Sequence, residues 1–286
     1  MKLIKPCVEI LDQLPGISGI YKQIEFAGRT CYKSHDKITS DSAKEFVDRM
    51  IKSGHGAMLE HGTIYLYSTE QTIKKYYNNK YSVVKYFSEN HIDEAHKGNY
   101  GWYITTNLRV LVENGWLDDL KYLCEPTEYH EKRITVKFIC DRGVSHEFVR
   151  HRVFSFAQES TRYCNYSKDK FDNEITFIMP CWMDEEELAS YGPYHTVCRS
   201  KTPESIFIAS LNNAEQDYKS LIDMGWKPQQ ARAVLPNALK TELVMTGFVS
   251  DWKHFFELRD AGSAHPQARE LAQPLHKLFI EEKWLD

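Results

Sequence analysis

The chain is 286 residues long, 42 % hydrophobic and 27 % charged, a composition that suits a folded protein with a sizeable core and excludes a disordered or fibrous one. Its 36 Lys plus Arg against 40 Asp plus Glu give a net charge of −4, which argues against a nucleic-acid binder with its basic excess. No apolar run approaches the roughly 18 residues of a membrane span, the first residues lack a signal-type apolar stretch, and seven scattered cysteines without a Cys-x-x-Cys pair fit reduced thiols, so the expected compartment is the cytoplasm.

In chain order, an extended N-terminal stretch leads to Ala27-Gly28-Arg29-Thr30-Cys31-Tyr32, which reads as a small-residue turn. From Asp41, the apolar residues Ala43, Phe46, Val47, Met50 and Ile51 recur at helical spacing, with Asp41 as N-cap and Gly54 as stop. His55, Glu60 and His61 lie between that helix and a strand over Thr63 to Tyr67. Two imidazoles and a carboxylate invite a metal, but metal-binding helices carry ligands at i and i+4 and this set does not, so no metal is expected. Residues 70–133 read as polar helix, loop and a second helical piece from Thr105 to Asn114, ended by Gly115 and containing Asn107 and Arg109. Ile134 to Ile139 alternates as a strand, followed by a turn at Arg142-Gly143 and a short helix from Val144 to Val149.

That helix presents Arg150-His151-Arg152, the chemically densest part of the chain. Three adjacent cationic or titratable side chains cannot share one face, and the apolar neighbours Phe148, Val149, Val153, Phe154 and Phe156 read as core. The arginines therefore emerge from a packed segment, where a guanidinium is a rigid fork for phosphate or carboxylate. Gln158, Glu159, Ser160, Thr161 and Arg162 add an amide, a carboxylate, two hydroxyls and another fork. A phosphorylated ligand with hydrogen-bonding edges fits this set, and so does a solvated basic helix end.

In the last third, Pro203 to Met224 reads as a long amphipathic helix stopped at Gly225, and Lys227-Pro228 restarts a short one before Ala231-Arg232-Ala233-Val234-Leu235-Pro236. Leu239 to Thr246 alternates as a strand. Ser250 is placed as cap of a helix over Asp251 to Arg259, and Ala264-His265-Pro266-Gln267 opens a final amphipathic helix bent or broken at Pro274. Cys181, in Met179-Pro180-Cys181-Trp182, is expected to be a buried thiol.

Arg150-His151-Arg152, seven residues, then Ser160 resembles the signature of the flavin-dependent thymidylate synthases. Four further stretches are similar to segments of that family: Ala27 to Tyr32, His55 with Glu60-His61, Ala231 to Pro236, and Phe255-Phe256-Glu257-Leu258-Arg259 with Ala264-His265-Pro266-Gln267. The resemblance implies an α+β single domain over residues 1–286, with an inserted helical segment at about 70–133. It implies transfer of a one-carbon unit from methylenetetrahydrofolate to C5 of dUMP, with FAD delivering the hydride, NADPH recharging it, and a homotetramer sharing sites between chains.

Residue by residue, the resemblance places Glu147, Arg150, Gln158, Glu159, Ser160, Thr161, Arg162 and Arg232 on dUMP, with Glu147 standing where the family has Gln. Arg259 falls against the pyrimidine ring as the catalytic residue. On FAD it places His55, Glu60, Arg150, His151, Arg152, Val153, Gln158, His254 and His265, and leaves His61 structural. Where some members carry Asn-x-Arg for flavin contacts this chain has Phe248 and Ser250, so Asn107 and Arg109 are assigned that role, against the plainer reading of a helix cap and a surface arginine. Ser160 lacks a His-Asp relay and is read as a hydrogen-bonding group. The reading from a different class is a non-catalytic nucleotide- or RNA-binding module built on Arg150 to Arg162.

Overall fold

The computed structural model describes residues 1–88, 100–168, 173–184 and 202–286. The first half of the chain supplies β1 (Lys2–Ile4), β2 (Cys7–Leu11), α1 (Gly16–Tyr32), α2 (Ser42–Lys52), α3 (Gly56–Leu59), β3 (Thr63–Ser68), β4 (Val83–Ser88), β5 (Tyr100–Asn107) and α4 (Leu108–Asn114). Then come β6 (Arg133–Asp141), α5 (Arg142–Phe148), β7 (Ser155–Gln158) and β8 (Thr176–Ile178). The last part holds α6 (Pro203–Asp223), α7 (Pro228–Ala231), β9 (Lys240–Phe248), α8 (Val249–Arg259) and α9 (Pro266–Glu281).

Helix and sheet are mixed throughout, as the α+β expectation requires. The main sheet is antiparallel with order β2-β6-β9-β7. Its central strand β9 is buried along almost its whole length because helices cover both faces. One face carries Val136, Phe138, Cys140, Leu243 and Met245 against Phe148, Trp252, Phe255, Leu271, Leu275 and Phe279 of α5, α8 and α9. The other face lies under α1, where the buried apolar contacts shrink to Ala27, Ala157 and Val244. A second antiparallel sheet, β3-β5-β4, packs its own core of Ile64, Leu66, Trp102 and Ile104 against α1, α2 and α4. Among the described residues no helix is long and apolar enough to cross a membrane.

Several expectations need correction. Among the described residues, 70–133 is mixed rather than purely helical: it holds β4 and β5 beside the 3-10 stretches Gln71–Asn78 and Leu117–Tyr122 and the short α4. No alternation shows in β5 because it is buried on both sides over most of its length. Ala27 to Tyr32 is no turn but the last two turns of α1, a helix buried on so many sides that it lacks a clean polar stripe. Gly28 is needed there because a Cβ would meet the Phe46 ring of α2 at 2.5 Å. Asp41 stands at the start of α2 without a side-chain capping bond, and Arg142-Gly143 is the first turn of α5, capped by Asp141 Oδ1 accepting from Val144 N at 2.7 Å. The cap position of α8 is Phe248, not Ser250, with Asp251 accepting from Phe248 N. Helix α9 runs unbroken through Pro274. Val153 is 66 % exposed rather than core, and Cys181 is exposed rather than buried.

Candidate active site

The Arg150 to Arg162 run threads three neighbourhoods, because the short edge strand β7 carries it along β9. The first is a node between α5 and α8. Arg259, at the last turn of α8, donates from Nε to His151 Nε2 at 3.0 Å, from one terminal nitrogen to Glu147 Oε2 at 2.8 Å, and from the other to the Glu147 carbonyl at 2.8 Å. Three of the five guanidinium N–H groups are thus used, and the other two have no partner among the described residues. Accepting from Arg259 requires a lone pair on His151 Nε2, so the imidazole is neutral; burial and the Arg259 charge lower its pKa to about 4. Burial also lowers the Arg259 pKa, with Arg150 pressing the same way. The exposed His254 ring lies 6.2 Å from that of His151.

The second neighbourhood is the loop that follows β7. Gln158 donates to Ser145 Oγ at 2.8 Å and more weakly to Thr241 Oγ1 at 3.3 Å. Arg232, brought in by α7, donates to Thr161 Oγ1 at 3.0 Å. The Ser160 amide donates to the Cys31 carbonyl at 3.0 Å, and the Tyr32 and Tyr163 rings meet at 5.1 Å. The end of α1 therefore holds this loop, which gives the Ala27 to Tyr32 stretch its structural purpose. Arg162 is exposed, its guanidinium over the Tyr163 ring.

Glu159 serves differently from its neighbours. It is 2 % exposed, and its carboxylate accepts from Lys240 Nζ at 2.8 Å and from Tyr166 Oη at 3.0 Å. Lys240 also bridges to Glu242 at 2.7 Å, and Lys33 and Lys137 reach the same Glu242. Glu159 thus anchors the loop from beneath. The surrounding lysines hold the Glu242 carboxyl well below the usual range, and the two carboxylates raise Lys240.

The third neighbourhood is a cleft of about 490 Å³ lined by Glu60, Lys80, Tyr81, Asn107, Arg133, Arg152, Val153, Phe154, Ser155, Gly247, Phe248 and Asp251. It gathers Glu60, Asn107, Arg152 and Val153 from the sequence-derived set. Asn107 is the N-cap of α4, its Oδ1 accepting from Val110 N at 3.2 Å. Arg109 is paired with Glu60 and Glu113 at the rim. His55 is exposed at the start of α3, and His265 lies against Trp182 rather than in the cleft, ring centres 6.2 Å apart. His61 is fully buried and shares a hydrogen bond with Thr246 Oγ1 at 2.8 Å; burial and Arg133 lower its pKa to about 3.

Arg133 is the residue that sequence reasoning missed. It donates to the Glu60 carbonyl at 3.0 Å and stands over the Phe248 ring, while its buried Nε has no hydrogen-bond partner among the described residues. Burial lowers its pKa to about 10. The available signal was an arginine opening an otherwise apolar, alternating strand. An orphaned guanidinium donor, an exposed Arg152 and an apolar wall of Val153, Phe154 and Phe248 fit an anionic, ring-bearing ligand.

Comparison with known proteins adds an independent line. Residues 125–282 match the family described as thymidylate synthase complementing protein. A flavin-dependent thymidylate synthase of Corynebacterium aurimucosum is 25 % identical over 262 residues, covering 91 % of this chain and 75 % of that protein. One from Pyrococcus furiosus is 31 % identical over 133 residues, covering 46 % of this chain and 48 % of that protein. A crystallised UMP/dUMP methylase from Streptomyces cacaoi, bound with 5-Br dUMP, aligns over 98 % of this chain and 93 % of its own at 18 % identity and a TM-score of 0.42.

Proposed function

Since the chain belongs to the thymidylate synthase complementing protein family, we propose that it is a flavin-dependent thymidylate synthase that methylates dUMP to dTMP with methylenetetrahydrofolate as carbon donor, FAD as hydride carrier and NADPH as reductant. The observation that carries the reading is the Arg259 node: a half-buried guanidinium fixed by Glu147 and His151, with two of its donors unused among the described residues.

Carbon C5 of a uracil is a weak nucleophile, and a fixed cation beside N3 and its carbonyl favours the ionised, electron-rich ring. Arg259 takes that role. Ser160, Thr161, Arg162 and Arg232, with Gln158, form the dUMP phosphate and sugar side, and Arg150 serves both ligands. Glu159 supports the loop through Lys240 and does not touch substrate. On the other side of β7, Glu60, Arg133, Arg152 and Val153 hold FAD, whose reduced form supplies the hydride when bound. His151, His254 and Asn107 border that site, with His55 and Arg109 at its outer margin, whereas His265, against Trp182, stands apart from it.

No enzyme cysteine is needed. The pKa values of Cys7, Cys31, Cys124, Cys140 and Cys181 are all raised by burial, which disfavours the thiolate a nucleophile requires. The chain acts as a cytoplasmic homotetramer with shared sites. Exposed Val153, Tyr163, Val234 and Leu258 stand within two residues of Arg152, Arg162, Arg232 and Arg259 in sequence, giving the outward-facing site an apolar surround suited to a neighbouring subunit. Residues 70–133 are an insertion in this reading.

The test is the visible absorption spectrum of the protein with added FAD, followed under anaerobic NADPH with and without dUMP. Bound flavin whose reduction responds to dUMP is the expected result, and Arg259→Ala should keep the flavin while losing dUMP-dependent turnover. A protein that binds dUMP but no flavin is instead the nucleotide-binding module.

A further inference from the structure

The cleft has a wall that belongs to none of the motifs. Lys80 and Tyr81 line it from the turn between the 3-10 stretch and β4, outside the residues that the family match covers. The turn is held by its own side chains: Asn79 Oδ1 accepts from Tyr81 N at 2.9 Å and from Ser82 Oγ at 3.2 Å, and Ser82 Oγ reaches Thr106 Oγ1 of β5 at 2.8 Å. Those bonds fix the backbone and leave both intervening side chains clear of the packing. Tyr81 is 51 % exposed, and the Lys80 ammonium lies 4.8 Å from its ring centre. The same cleft is lined by Arg152, Val153 and Arg133, whose buried Nε has no partner among the described residues. The lining thus holds three cations, Lys80, Arg133 and Arg152, against two carboxylates, Glu60 and Asp251, together with the half-exposed Tyr81 ring, one face of which carries the Lys80 ammonium.

We propose that Lys80 and Tyr81 are ligand-contacting residues of this cleft, Lys80 pairing with the diphosphate of FAD and Tyr81 stacking on one of its rings. The inference rests on the flavin reading above. An ordered turn that projects an ammonium and a ring side by side suits a dinucleotide, which presents charge and a flat face together. It also gives the β3-β5-β4 sheet a part in cofactor affinity, since Ser82 ties the turn to β5.

The experiment is titration of the full-length protein with FAD, followed by flavin fluorescence, at several salt concentrations. Tyr81→Ala should weaken FAD binding about tenfold, and Tyr81→Phe should hold it within about twofold because stacking needs the ring and not the hydroxyl. Lys80→Gln should weaken binding and flatten its salt dependence. Thermal melting checks the fold, which the Asn79 and Ser82 bonds should preserve; if Tyr81→Ala melts early, Tyr81→Phe and Lys80→Gln still decide. Wild-type affinity in both Tyr81→Ala and Lys80→Gln overturns the wall while leaving the flavin reading intact. A wild-type protein that binds no FAD overturns both.

Discussion

The two faces of the β2-β6-β9-β7 sheet are built from different chemistry. Under α8 and α9 the contacts are almost wholly apolar, and Trp252, Phe255, Phe148 and Phe279 interlock, with Trp252 Nε1 donating to the Ile134 carbonyl at 3.2 Å. Under α1 the same strands present Thr135, Lys137, Lys240, Glu242 and Thr246, most of them buried, and Lys33 joins them from beyond the helix end. Burial of aromatic area stabilises without directing anything, whereas a buried ion network tolerates one geometry only. The polar face reaches the site through Glu159 beneath the Ser160 loop and His61 beside the cleft, and α5 and α8 bring the Arg259 node to it from the apolar side. Stability thus rests mainly on one face, while positioning draws on both.

The contrast is broken most severely by Trp252→Ala, which should cost about 4 kcal/mol in denaturant unfolding, the usual scale for emptying a large aromatic site. Folded protein should keep dUMP binding at low temperature, because the Ser160 loop and the ion network beneath it lie on the opposite face, although α8 also carries Arg259; an unfolding loss under about 1 kcal/mol would mean that the apolar face does not carry the stability. Lys240→Met should come next, at about 3 kcal/mol, because Glu159 is left buried with Tyr166 as its one side-chain hydrogen-bond partner among the described residues. Unlike the tryptophan change, it should weaken dUMP binding even where the protein is fully folded. Equal dUMP affinity in Lys240→Met and wild type would show that the network is structural only.

Legibility in the sequence follows the same division. Helices α2, α6 and α9 and strands β6 and β9 were readable because each has one apolar side facing a core. Helix α1 was not, since Gln23, Glu25 and Arg29 are buried along with its apolar residues and Arg29 pairs internally with Glu25 at 2.7 Å. Strand β7 is four residues long, too short to show a period. At the site, Arg150, His151, Arg152 and Ser160 stand out by residue type within one short run. Arg133, Lys33, Lys240 and Glu242 do not, because they meet only once distant segments are folded together. Lys240 and Glu242 did leave a trace, two opposite charges on one side of an otherwise apolar strand.

Acid titration sharpens the comparison by a smaller amount. The folded His61 pKa is lowered from 6.5 to about 3, so the unfolded chain binds the extra proton between those values. The contribution is therefore full above about pH 6.5 and is lost as the pH falls, amounting to about 2 kcal/mol at pH 5. Replacing His61 with Asn should remove that part of the pH slope of unfolding free energy between pH 8 and pH 5. An identical slope in the two proteins would mean that His61 titrates normally and the polar face is wetter than its geometry indicates.

The smallest effect belongs to a residue on neither face. Cys181 follows β8 on the surface, beside the exposed Trp182, in a Pro-Cys pair that invites comparison with the cysteine-dependent thymidylate synthases. An exposed thiol without a packing role should be replaceable at less than about 0.5 kcal/mol. Burial and the nearby Glu270 charge both raise its pKa, so at neutral pH it is a poor source of thiolate. Cys181→Ala should accordingly keep stability and dUMP turnover near wild type. Complete loss of turnover with an unchanged melting temperature would move the chemistry from the Arg259 node to that thiol, and the division of labour across the sheet would no longer describe the active site.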